Sequence, residues 1–77
     1  MERYKNLDRN SSIFSYEFRA GYIDVAFEDG TVYRYTVASA GSENLNNMKV
    51  LATSGRGLNS YINTYVKRGY QSKRKMI

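Results

Sequence analysis

The sequence predicts an α+β fold, a three-stranded antiparallel meander with two C-terminal helices packed on one of its faces, in the order βββαα. Three observations carry this. Apolar residues alternate at period two through three successive segments between Ser11 and Val37. Glycine-containing turns, Arg19-Ala20-Gly21 and Asp29-Gly30, separate those segments. Beyond Ser42 the apolar spacing changes to that of helices.

The first strand, Ser11 to Phe18, places Phe14, Tyr16 and Phe18 on one side, with Ser15 and Glu17 between them. In the second, Tyr22 to Glu28, Ile23, Val25 and Phe27 face one way and Asp24, Ala26 and Glu28 the other. The third, Thr31 to Val37, alternates Tyr33, Tyr35 and Val37 with Val32, Arg34 and Thr36. A two-residue Asp29-Gly30 loop would pair Val25 with Arg34 and split the apolar residues between faces. A three-residue loop, Glu28-Asp29-Gly30, with Gly30 left-handed as a bulge, pairs Val25 with Tyr33 and Ile23 with Tyr35. It gathers Ile23, Val25, Phe27, Tyr33, Tyr35 and Val37 on one face, so burial selects it. The other face, with Ser15, Glu17, Asp24, Glu28, Arg34 and Thr36, reads as solvated.

Two helices follow. Ser39 or Ser42 is suited to cap the first, with Glu43 in its first turn, and Leu45, Met48, Leu51 and Ala52 form its stripe up to a Gly55 cap. Leu58, Tyr61, Ile62, Tyr65 and Val66 mark a second, amphipathic helix from about Leu58 to Lys67, stopped by Gly69. The organisation expected is a flexible arm over residues 1–10 with one or two anchoring contacts, a single domain over 11–68, and a basic tail over 69–77.

At 77 residues there is room for one small core. The chain leans on 8 Tyr and 3 Phe for it, with no Trp. Absence of Cys excludes disulfides and thiolate metal sites, and absence of His removes the commonest metal ligand and general base. Glu17, Asp24, Glu28 and Asp29 fall on an open sheet face or in a turn, where nothing implies a catalytic cleft. Ser11, Ser12 and Ser54 have no base to activate them. No enzyme, cofactor or metal is therefore expected. No apolar run approaches membrane-spanning length and the N-terminus has no apolar signal core, so a cytoplasmic protein of bacterial or phage type is the expectation.

The charge is uneven. Met1 to Gly55 holds six basic and seven acidic residues. Arg56 to Ile77 holds six basic residues (Arg56, Lys67, Arg68, Lys73, Arg74, Lys75) and no acid, so the net +5 resides in the C-terminal third.

Some of these residues resemble the KTSC domain, a short bacterial module also found at the C-terminus of some lysyl-tRNA synthetases. The resemblance begins at Ser11-Ser12 and Phe14-Ser15-Tyr16-Glu17 and runs through Ile23-Asp24-Val25-Ala26-Phe27-Glu28-Asp29-Gly30 and Tyr33-Arg34-Tyr35. It resumes over Ala52 to Ile62, with Thr53 where Ser is usual and Leu58 where Phe is usual. What it implies is a non-enzymatic module for which RNA binding has been suggested, by analogy of context.

Three groups carry a ligand reading and a structural one. Arg56, Lys67, Arg68, Tyr70, Lys73, Arg74 and Lys75 form the expected nucleic-acid surface, cations for phosphates and Tyr70 for a base; the other reading is a solvated tail. Thr53, Ser54, Gly55 and Gly57 could cradle an anion, or the two glycines could simply end one helix and start the next. Tyr33 and Tyr35 could stack on bases, but their shared face with Val25 and Phe27 points to core packing. The function expected is an RNA-binding accessory module, monomeric. The alternative is a protein-interaction module or homo-oligomer using the open edge of the third strand or a Tyr-rich patch.

Overall fold

The computed structural model describes residues 1–75, and of the expected basic tail Met76 and Ile77 lie outside it. The architecture is a five-stranded antiparallel sheet in sequential order, with a helical layer inserted between its fourth and fifth strands. The strands are β1 (Glu2–Arg3), β2 (Ile13–Arg19), β3 (Tyr22–Phe27), β4 (Thr31–Thr36) and β5 (Ser72–Lys75). The expected three-stranded meander is thus corrected to five strands. The segments read as arm and tail supply the extra two, β1 beside β2 and β5 beside β4.

The central hairpin adopts the register that burial selects. Ile23 pairs with Tyr35 and Val25 with Tyr33 across β3 and β4. The turn closes by Gly30 donating to the Phe27 carbonyl at 3.0 Å, with Gly30 at φ 89°. Asp29 caps it by accepting the Thr31 amide at 2.9 Å. Ala20 and Gly21 form the two-residue turn between β2 and β3, where Arg19 pairs with Tyr22.

Two details of the strands differ from the sequence reading. A bulge between Ile13 and Ser15 turns Phe14 outward and Ile13 inward, so Phe14 is exposed and Ile13 is buried. Val37 is not the end of β4 but the start of a one-turn helix, α1 (Val37–Ala40), and it is exposed. Thr36 caps that turn in a reciprocal arrangement with Ser39.

The longer helix α2 (Ser42–Ser54) starts from Gly41 rather than from a serine cap and ends at Gly55 in the left-handed conformation. The next helix begins as α3 (Leu58–Tyr61) and widens into a π-helical turn, Ile62–Val66, over most of the span the sequence predicts. Lys67 closes it by donating to the Ile62 carbonyl at 2.6 Å. Leu45, Met48 and Ala52 of α2 meet Leu58, Ile62 and Val66 above Ile13, Tyr16, Ile23, Val25 and Tyr35 of the sheet, which makes the single core.

Of the first ten residues, Tyr4 belongs to this core. Tyr4 is 3% exposed, and its hydroxyl accepts the buried Leu58 amide at 3.3 Å. Leu7 donates to the Gly55 carbonyl at 2.8 Å. Lys5 lies so close to Gly55 that an added Cβ there would sit 2.6 Å from the Lys5 Cβ.

The sheet's other face is less solvated than its composition suggests. Val32 is fully buried, and Ser15, Asp24 and Ala26 nearly so. Long side chains lie flat over them. Arg34 donates two bonds to the Asp24 carboxylate, at 2.8 and 2.9 Å, while its guanidinium stacks 4.1 Å from the Tyr22 ring centroid. Arg74 of β5 reaches the same carboxylate at 3.7 Å. Arg3 of β1 covers the outward Phe14 ring at 4.4 Å.

Because Tyr4 fills core space and pairs a buried amide, the two functions of its side chain are separable. Tyr4→Phe is expected to cost about 1–3 kcal/mol, the penalty of leaving the Leu58 N–H unpaired. Tyr4→Ala is expected to cost about 3–5 kcal/mol, as for other buried aromatics. Urea unfolding followed by circular dichroism measures both; a loosely held arm would leave both midpoints at the wild-type value.

Candidate nucleic-acid interface

The helical layer is shorter than the sheet it covers. It seals Tyr35, which is 1% exposed, but leaves its neighbour Tyr33 half-buried. Past Val66 the backbone cannot continue as a helix. Lys67 adopts φ 28°, a left-handed value unusual for a residue with a Cβ, and Gly69 donates to the Val66 carbonyl. The chain then drops back to the sheet, where Gln71 donates to the Arg34 carbonyl at 2.6 Å and β5 begins.

This return brings Tyr70 edge-on against Tyr33, with ring centroids 4.8 Å apart at 74°, and against Tyr35 at 6.3 Å and 89°. Phe27 meets the other side of Tyr33 edge-on at 5.4 Å. Around these rings lies a cleft of about 750 Å³. That volume falls within the usual range for ligand clefts, about 300–1,000 Å³. One wall is the β3–β4 turn with Glu28 and Asp29, joined by Ser12; the other is the π-helical turn with Asn63, followed by Lys67 and Arg68.

Of the seven residues the sequence proposes for a nucleic-acid surface, three line this cleft and a fourth lies on the same sheet face. Lys67, Arg68 and Tyr70 line the cleft. Lys73 pairs directly with Tyr33 across β4 and β5, which puts it on the same face. Among the described residues, no carboxylate comes within ion-pair distance of Lys67, Arg68 or Lys73. The other three are elsewhere or engaged. Arg74 points to the opposite face and pairs with Asp24. Lys75 sits against Asp29, 3.7 Å from its carboxylate and donating to its carbonyl at 3.1 Å. Arg56 lies 3.9 Å from Asp8, beside Tyr4 and Asn6.

The residues considered for an anion cradle have partners within the chain. Thr53 donates to the Lys49 carbonyl at 2.9 Å and Ser54 to the Leu51 carbonyl at 3.0 Å, as hydroxyls do in a last helical turn. The Gly55 amide bonds the Leu51 carbonyl, and Tyr4 takes the Leu58 amide. Gly57, at φ 83°, precedes α3. The geometry is that of two helix ends with the N-terminal segment packed between them.

Phe27, Glu28, Asn63 and Ser12 are cleft residues the sequence does not single out as a site. Tyr33 is both core and cleft: its ring packs against buried residues and also lines the opening.

The tyrosines set an alkaline limit. Burial pushes the Tyr35 phenol far above the ordinary tyrosine range, and the neighbouring Tyr33 and Tyr70 add to the shift. Burial also raises Tyr4, more than the Leu58 amide lowers it. A phenol whose value is raised on folding contributes its full stability below the unfolded value, about pH 10, and loses it as pH rises toward the folded value. The urea midpoint is therefore expected to fall between about pH 9 and 11, and less steeply in Tyr35→Phe. Equal slopes for the two proteins would show that Tyr35 ionises as freely in the fold as in the unfolded chain. Comparison of the chain with family models, with curated proteins and with solved structures finds no match.

Proposed function

We propose that this domain binds single-stranded nucleic acid, RNA first, in the cleft between the β3–β4 turn and the π-helical turn. The observation that carries the reading is the placement of Lys67 and Arg68 in the wall of the cleft beside the half-buried rings of Tyr33 and Tyr70, with Lys73 on the same sheet face as Tyr33, all three without an acidic partner among the described residues. Cations that are not spent on carboxylates are free to replace the counterions of phosphates. Rings set inside a cleft can meet only bases that are unstacked, which selects single strands over duplexes. The KTSC resemblance, with its suggested RNA role, agrees by analogy. The open edge of the third strand, one of the two surfaces considered for a protein interaction beside a Tyr-rich patch, is occupied by β5.

The reading assigns different roles to neighbouring basic residues. Fluorescence anisotropy with a short labelled single-stranded RNA is expected to show affinity that falls with salt, with a log–log slope near −0.7 per phosphate contact. The triple variant Lys67→Ala, Arg68→Ala, Lys73→Ala is expected to lose most of that slope and at least tenfold in affinity. Arg74→Ala, whose partner is Asp24, is expected to lower stability and leave the salt slope near wild type. Unchanged binding in the triple variant contradicts the assignment.

Lys67 offers a separate check. Its left-handed backbone suits glycine, so Lys67→Gly is expected to relieve strain of about 1 kcal/mol while removing one phosphate contact. Thermal unfolding and anisotropy on that one variant should therefore move in opposite directions, stability up and affinity down. Movement of both downward would mean that Lys67 is a structural residue.

A further inference from the structure

One strand of the sheet is joined to the rest of the fold through a strained link. The helical layer ends at Val66, which is buried, and the chain reaches β5 by way of Lys67, Arg68 and Gly69. Lys67 has φ 28° and ψ −95°, outside the regions open to a residue with a Cβ. Gly69 is pressed between backbones. Its amide bonds the Val66 carbonyl, and an added Cβ would lie 2.9 Å from that oxygen and 3.3 Å from the Ser39 carbonyl oxygen. Beyond the link, none of residues 70–75 is buried, and all but Tyr70 are exposed. They are held by the pairing of β5 with β4, by the Tyr70 ring against Tyr33 and Tyr35, and by Arg74 and Lys75 reaching Asp24 and Asp29.

We propose that residues 70–75 are exchanged between two copies of this chain, so that the β4 of each copy is completed by the partner's β5. Every attraction that holds the segment lies beyond the link, so each is remade on the second copy: β5 on β4, Arg74 on Asp24, Lys75 on Asp29, Tyr70 on Tyr33. The strain at Lys67 and the crowding at Gly69 belong to the closed chain alone. A link that opens into extended backbone releases both, and short hinges under strain are the setting in which identical elements swap. Charge favours the same partner. Lys73, Arg74 and Lys75 repel a second β5 laid alongside, whereas Asp24 and Asp29 stand ready to pair with a β5 that joins β4. Each copy gives the strand that it receives, so the contact is isologous and closes at two copies. Each cleft then holds Tyr33 from one chain with the partner's Tyr70 and the partner's Lys73. The exchange is independent of what the cleft binds.

The test is refolding of the full chain from urea at millimolar and at low micromolar concentration, followed by size-exclusion chromatography with light scattering. Wild type is expected to give a dimer fraction at the high concentration and monomer at the low one. Gly69→Val, whose branched side chain has no room in the closed link, should raise the dimer fraction several-fold. Lys67→Gly, which relaxes the closed link, should lower it several-fold. A disulfide separates exchange from any other dimer. The sequence has no cysteine, so Thr31→Cys and Lys75→Cys, at positions that pair across β4 and β5, can be placed in different chains. Mixing the two, refolding them together at high concentration and oxidising the dimer peak should join position 31 of one chain to position 75 of the other, read by peptide mass. Should Gly69→Val fail to fold, the wild-type and Lys67→Gly fractions decide. A wild type that stays monomeric after refolding at millimolar concentration overturns the exchange. So does a dimer whose positions 31 and 75 do not join between chains, or one whose fraction Lys67→Gly leaves unchanged.

Discussion

The register of one hairpin governs the rest of the molecule. A turn with Gly30 left-handed commits Tyr33 and Tyr35 to the same face as Ile23 and Val25. Shifting the pairing by one residue would send both rings to the other face and bring Arg34 into the core. With the rings inward, the helical layer has an apolar floor to cover. With Arg34 outward, its fork closes on Asp24, and a carboxylate in the middle of a sheet face becomes tolerable because a bidentate partner and a stacked Tyr22 accompany its burial.

A second constraint is size. Two short helices cannot cover five strands, and the end of the sheet at Tyr33 is left over. The C-terminal segment completes that cover only in part. Tyr70 packs edge-on against Tyr33 and β5 zips onto β4, yet an opening persists between the β3–β4 turn and the π-helical turn. The cleft is thus a consequence of how a small core runs out, and its chemistry follows from which residues border the gap. Both edge strands are short and charged, Glu2–Arg3 on one side and Ser72–Lys75 on the other, which discourages further strand addition.

Much of the hairpin and the helices is legible in the sequence, because each rests on a local pattern. Alternation with a glycine turn fixes β3 and β4, and the spacing of Leu45, Met48 and Ala52 fixes α2. The edge strands are not legible for a physical reason. Glu2–Arg3 and Ser72–Lys75 contain no apolar residue, and their pairing is supplied by partner strands far away in sequence. The bulge at Phe14 is hidden in the same way, since Ile13 and Phe14 are both apolar and only the β3 partner decides which turns inward. The basic third of the chain flags Lys67, Arg68, Tyr70 and Lys73, but charge counting cannot separate them from Arg74, which alternates to the opposite face, or from Arg56, which stands near Asp8. Tyr33 reads as core because its neighbours are core; that it stands where the helical layer ends is a property of the tertiary structure alone.

That the cleft between the β3–β4 turn and the π-helical turn is the ligand surface is tested most directly by mapping amide and tyrosine ring shifts in the NMR spectrum as a short single-stranded RNA is added. The perturbed residues are expected to cluster at Tyr33, Lys67, Arg68, Tyr70 and Lys73. Perturbations confined to Thr53–Gly57 and Arg56, or spread over the Arg34–Asp24–Arg74 face, would contradict it.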